Sequence, residues 1–204
     1  RRYLVFKEQN LRCRRGGFGL QTYYTRGSKM KNNNCLFTDI REDYKINSKK
    51  SFLILLDYRI KHRIYKQNTV VIYKFGGGIT NFIFWIVFFL FNIQAQISYK
   101  AQIGSKIKLP HSGQGLVISS KAIIGDEVTI FHQVTIGVND FYDEENKPIK
   151  IGDRCYIASG AKIISCNIGD DCRIGANAVV TKNLPNGSLC YSANVVRKEY
   201  YSYK

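Results

Sequence analysis

Three histidines, His62, His111 and His132, are the side chains best suited by type to move a proton near neutral pH. His62 lies between Lys61 and Arg63 in a stretch with helical period, so it reads as a solvated side chain. His111 opens the segment His111-Ser112-Gly113-Gln114-Gly115, which is rich in turn-forming residues. His132 follows further along the chain. Six cysteines, Cys13, Cys35, Cys155, Cys166, Cys172 and Cys190, form no C-x-x-C pair and are irregularly spaced. That argues against a zinc ribbon or a redox motif, and no metal is expected.

The elements that must position these residues are set by a repeat. From Ile97 onward an aliphatic residue recurs at every sixth position. The runs are Ile97, Ile103, Leu109; Ile118, Ile124, Ile130, Ile136; Ile151, Ile157, Ile163; and Ile168, Ile174, Val180. A small residue often follows, as in Ile124-Gly125, Ile136-Gly137, Ile151-Gly152, Ile168-Gly169 and Ile174-Gly175. A period of six fits neither an isolated helix nor a flat hairpin. It fits a solenoid with three short faces, in which each aliphatic residue stacks on its equivalent about 18 residues away. Gly-Asp steps at 125–126, 152–153 and 169–170 read as corners needing special backbone angles. Cys155 and Cys172 occupy small inward positions and read as core filler.

The repeat breaks in three places, and a regular solenoid has no pocket elsewhere. Leu109 to Ile118 spans nine positions, three more than a unit, and this break holds His111. Ile136 to Ile151 spans fifteen, extruding an acidic, aromatic loop around Asn139–Pro148. Ile163 to Ile168 spans five, one short, near Cys166. His132 falls about one coil beyond His111, at the third position of a regular unit. It is expected to face outward, solvated or at an interface, with a substrate-side role as the other reading.

The rest of the chain divides by composition. Lys and Arg number 31 against 15 Asp and Glu, a net charge of +16. Residues 1–29 hold eight basic side chains and one acidic; their +7 leaves +9 on residues 30–204. This stretch has no apolar core segment of the secretory kind and no clear period, so it reads as an extension ahead of a start at Met30, or as a basic arm. A reducing, cytoplasmic setting is the expectation. With 45% hydrophobic residues, a wholly disordered chain is excluded. Residues 30–94 read as a helical region. It contains Ser51–Lys66, a helix with an apolar stripe and a basic face, and Phe82–Phe91, ten consecutive apolar residues. That run is short of the roughly 18 that a membrane-spanning helix needs. It reads as a helix buried against the protein or a subunit neighbour, with peripheral contact at an inner membrane surface as the alternative. Residues 95–196 form the repeat domain and 197–204 a tail.

Three stretches, Ile103–His111, Val117–Gly137 and Ile151–Pro185, resemble the hexapeptide-repeat acyltransferases. The serine acetyltransferase branch is the most similar, with its relatives that acetylate capsule and exopolysaccharide, such as the colanic acid type. The resemblance covers about 43–196. It implies a mainly β fold, a left-handed parallel β-helix preceded by short N-terminal helices. It implies acetyl-CoA as co-substrate, no metal, and a homotrimer with sites between subunits, the pairing of two trimers being left open. His111 matches the family's catalytic histidine, a general base for an acceptor hydroxyl, and Gln96 stands where an acidic residue orients it. Coenzyme A contacts map to Ser159, Gly175, Ala176, Thr181 and Lys182. His132 is carried as a substrate-side residue.

The departures bear on the acceptor. Pro110 replaces an Asp before the histidine, and Gln96 cannot stabilise an imidazolium by charge. Pro148 stands where a second histidine meets serine. The expectation is therefore O-acetylation of a surface polysaccharide or its precursor, with serine O-acetylation as the alternative. A basic nucleic-acid-binding module rests on charge alone and an inactive solenoid on the departures, and nucleic acid is not an expected partner.

Overall fold

The computed structural model describes residues 36–67, 77–139 and 148–192. The expectations for 1–29, for the acidic loop at 140–147 and for the tail at 197–204 lie outside the described residues.

Among the described residues three helices precede the strands: α1 (Leu36–Ile46), α2 (Lys49–Lys66) and α3 (Gly77–Leu90). α2 starts two positions before the expected Ser51, because Ser48 caps it: the Ser48 Oγ accepts the Ser51 N–H at 3.3 Å. α3 takes in Gly77 and Gly78 in its first turn, ahead of the apolar run. A first-turn glycine costs little when the residues after it supply an apolar helix.

Among the described residues twelve strands of two or three residues follow, all paired in parallel: β1 (Gln96–Ile97), β2 (Gln102–Ile103), β3 (Val117–Ile118), β4 (Ala122–Ile124), β5 (Thr129–Ile130), β6 (Thr135–Gly137), β7 (Ile149–Ile151), β8 (Tyr156–Ile157), β9 (Lys162–Ile164), β10 (Arg173–Ile174), β11 (Val179–Val180) and β12 (Leu189–Cys190). They form three sheets, ordered β1-β3-β6-β9-β11, β2-β4-β7 and β5-β8-β10-β12. The chain therefore visits three faces in fixed rotation. Ile97, Ile118, Ile136, Ile163 and Val180 stack on the first face. Ile103, Ile124 and Ile151 stack on the second, and Ile130, Ile157 and Ile174 on the third. Nearly all are buried, and each such side chain contributes about 2 kcal/mol.

The register reproduces the breaks. Val117 pairs with Thr135 across one regular coil. The coil before it, joining Gln96 to Val117, is longer by the insertion that holds His111. The coil after it, joining Thr135 to Lys162, is longer again by the extruded loop. The coil from Lys162 to Val179 is one position short of regular, and the last, from Arg173 to Leu189, is shorter still.

The corner glycines act by space rather than by angle, which corrects the sequence expectation. Gly104, Gly125, Gly152 and Gly169 are not among the positive-φ residues. A Cβ on each would overlap the Asp126, Asp153, Asp170 or Asn186 side-chain oxygen of the next coil. Those oxygens accept backbone N–H groups in a continuous ladder: Ser105 to Asp126 (2.6 Å), Asp126 to Asp153 (2.8 Å), Asp153 to Asp170 (2.9 Å) and Asp170 to Asn186 (2.9 Å). The left-handed angles fall two positions after each glycine, at Lys106, Glu127, Arg154 and Asp171.

A first coil exposes unpaired backbone groups. Here α1, α2 and the turn between them cover these groups with side chains. The Asn47 side chain donates to Ile107 O and accepts from Leu109 N. Tyr58 Oη donates to Ala101 O and accepts from Ile103 N. Arg59 Nη1 donates to Ile103 O at 2.8 Å, while its Nε meets Asp43 Oδ2 at 3.1 Å. Asp43 Oδ1 accepts Ile107 N. Burial pushes the Tyr58 phenol up to about 12, so it serves as a neutral donor. His62 belongs to this set and is half-buried rather than freely solvated, contrary to expectation. Its Nδ1–H donates to Tyr99 O at 2.8 Å and its ring stacks on Tyr58 at 5.4 Å.

α3 is only partly covered within this chain. Phe84 is buried, but Phe82, Trp85 and Phe89 are each more than 60% exposed. Among the described residues, no helix is long and apolar enough to cross a membrane. Cys155, Cys166 and Cys172 are buried, and burial pushes the Cys155 thiol up to about 12, which leaves it un-ionised and a poor nucleophile.

Candidate active site

The insertion in the first coil is gathered in a tight turn at Pro110–Gly113. His111 (φ 53, ψ 36), Ser112 (φ 62, ψ 20) and Gly113 (φ 54) are consecutive left-handed residues. For the two that carry side chains this conformation is costly, and it persists because its surroundings fix it. Ser51 Oγ donates to Leu109 O, Asn47 accepts Leu109 N, and Gly113 sits against Ile54, where a Cβ would come within 3.2 Å of Ile54 Cδ1. On the far side Leu116 N donates to Gly113 O, and Gly115 N donates to Gln94 O. The turn is thus clamped by α2 and by the chain entering β1, and it presents an exposed His111.

The length of this first coil brings His132 beneath that turn. The two imidazoles lie 5.2 Å apart, edge to face at 77°. Phe131 is 5.7 Å from His111, and Tyr156 is 5.1 Å from Phe131. His132 is half-buried, and its Nδ1 is buried without a hydrogen-bond partner among the described residues. Phe131 and Tyr156 escaped the sequence reading. The signal was present, since Phe131 follows Pro110 by the same interval that joins His111 to His132.

The corner carrying His132 continues upward. Gly160 N donates to His132 O and Asn177 N to Ser159 O, which stacks His132, Ser159 and Ala176 at about one strand spacing, roughly 4.8 Å, per coil. Gly175 precedes Ala176 and donates its N–H to Cys190 O. Thr181 and Lys182 are exposed and follow β11, at the opposite margin of the β1-β3-β6-β9-β11 sheet. The candidate base and the candidate coenzyme positions therefore flank one face, whose outward residues include Val117, Thr135, Lys162 and Val179.

Gln96 is exposed at the start of β1, and no side-chain hydrogen bond joins it to His111 among the described residues. Pro148 is exposed just before β7. No group of three or more metal-ligating side chains occurs among the described residues.

No family profile matches the chain. It is 36% identical over 140 residues to a serine acetyltransferase of Helicobacter pylori, covering 68% of this chain and 75% of that protein. It is 44% identical over 90 residues to a serine acetyltransferase of Mycobacterium tuberculosis, covering 44% of this chain and 38% of that one. Among solved structures it matches the soybean serine acetyltransferase apoenzyme with a TM-score of 0.62 at 24% identity, over 78% of this chain and 66% of that chain. It matches a Brucella abortus serine acetyltransferase in complex with coenzyme A with a TM-score of 0.58 at 25% identity, over 78% and 64%. The chain thus spans about two thirds of the solved chains' length. The identity to the Helicobacter pylori protein, across three quarters of that protein's length, shows that the chain belongs to the serine acetyltransferase family.

Proposed function

We propose that the chain is an acetyl-CoA-dependent O-acetyltransferase with His111 as general base. The observation that carries this is the exposed His111 at the foot of the corner that also holds His132, Ser159 and Ala176. His111 takes the proton of an acceptor hydroxyl as its oxygen attacks the thioester carbonyl. The C–S bond breaks, and the proton passes from His111 to the departing thiolate. Backbone N–H groups of the corner meet the oxyanion. Small residues at Gly175 and Ala176 let a pantetheine arm lie near the backbone, and Lys182 meets a phosphate. The fold this implies is a left-handed parallel β-helix, assembled as a homotrimer.

The acceptor we favour is serine, because the relatives carry that name. A specific observation keeps a sugar hydroxyl of a surface polysaccharide as the second reading: Gln96, Pro110 and Pro148 supply neither charge nor imidazole for an amino acid's ionic groups. A thiol-release assay with acetyl-CoA, serine and a glycan panel separates the two. His111→Ala should lower turnover by about 10² to 10⁴. Near-normal release by that variant would refute His111 as base.

A further inference from the structure

A base must hold one ring orientation while it takes a proton, and small misplacements are costly. A hydrogen-bonded carboxylate is one way to hold an imidazole. Among the described residues none is bonded to His111, Gln96 is an uncharged amide and Pro110 carries no acid. What does touch the ring is two other rings, Phe131 at 5.7 Å and 45°, and His132 at 5.2 Å and 77°. Phe131 is itself backed by Tyr156. The strand ladder holds both neighbours, with Phe131 N donating to Ile157 O at 3.0 Å and His132 O accepting from Gly160 N at 3.1 Å. Tilted and edge-to-face ring pairs have preferred geometries, so they orient as well as attract.

We propose that Phe131 and His132 are positioning residues that hold the His111 imidazole by ring packing, in the role a carboxylate would otherwise fill. This rests on the acetyl-transfer reading of His111. It moves His132 from a substrate contact to a support of the base. The unpartnered His132 Nδ1 accords with this, since the ring edge is used and the nitrogen forms no bond within the described chain. A buried unpaired polar atom costs stability. His132→Phe keeps the ring and removes that atom, so it should raise the melting temperature.

The test uses the full chain, comparing Phe131→Ala, His132→Ala and His132→Phe, each alone and with His111→Ala. Phe131→Ala and His132→Ala should each lower kcat about tenfold while the KM for acetyl-CoA stays within about twofold. His132→Phe should restore kcat to within about threefold of the parent. With His111→Ala in place, none should cause a further loss, because they act through that ring. As a readout independent of turnover, NMR should show the His111 ring-proton resonance moving or broadening in the two alanine variants and sharp in His132→Phe. Unchanged kcat in both alanine variants, equal loss in His132→Phe and His132→Ala, or further loss in the His111→Ala background would each overturn the proposal. If the parent releases no thiol with any acceptor but the resonance pattern holds, acetyl transfer falls and ring positioning stands. If turnover is present and the His111 resonance ignores the substitutions, positioning falls.

Discussion

Ser51 Oγ donates a 2.6 Å hydrogen bond to the carbonyl of Leu109, two positions before His111, and so ties the buried face of α2 to the turn that presents the candidate base. Ser51→Ala leaves that carbonyl buried and unpaired, at a cost of about 1–3 kcal/mol. We expect a lower melting temperature, and a fall in kcat that exceeds any rise in KM. A variant matching the parent in both would show that α2 does not support the turn.

Arg59 and Asp43 make a buried ion pair that also satisfies carbonyls of the first coil. Arg59→Met strands a buried carboxylate and leaves Ile103 O without its donor. The expected loss is about 3–5 kcal/mol, seen as a drop of about 10 °C or more in the thermal midpoint. A midpoint within a degree of the parent would contradict this.

His62 gives a pH signature. Burial pushes its imidazole below the ordinary 6.5, against the pull of the Tyr99 carbonyl. The folded state therefore binds this proton less readily than the unfolded state. The stabilising contribution is complete above the unfolded value and is lost as pH falls from about 6.5 through the folded value. Melting curves between pH 7.5 and 5 should show the parent losing more stability on acidification than His62→Gln. Parallel curves would rule His62 out as the cause.

Gly125 tests the corner geometry. A Cβ there would overlap Asp153 Oδ1 and approach the Gly152 carbonyl carbon at 2.8 Å, so Gly125→Ala must displace a rung of the ladder. We expect a destabilisation of about 1–3 kcal/mol in chemical denaturation. Glu127→Gly should instead be tolerated, since Glu127 sits at φ 60, where glycine is at ease. The reverse order of stability would show that backbone angle, and not space, selects the glycines.

Much of the winding was legible because it is periodic. Ile118, Ile124, Ile130 and Ile136 announce their own spacing, and the register confirms the three breaks found in the sequence. The offset of about one coil also linked His111 to His132, although only the structure shows their rings in contact. The seal on the first coil could not be read. Tyr58 meets Ala101 and Arg59 meets Ile103 from α2, far back in the chain, and a polar side chain on a basic helix carries no mark of a distant carbonyl. The same blindness made His62 look solvated. Gln96 is the opposite case: its role came from alignment to a pattern, and no side-chain hydrogen bond joins it to the imidazole among the described residues.

The oxygen ladder has a polarity. Each rung joins a donor N–H in the lower coil to an acceptor side chain in the coil above, from Ser105–Asp126 to Asp170–Asn186. The lower end is sealed by α1 and α2, which predicts that the coils nearest this seal are the last to open. Hydrogen exchange should show it as amide protection that declines from Ser105 through Asp126 and Asp153 to Asp170. Uniform protection along the ladder would mean that the coils form and melt as one.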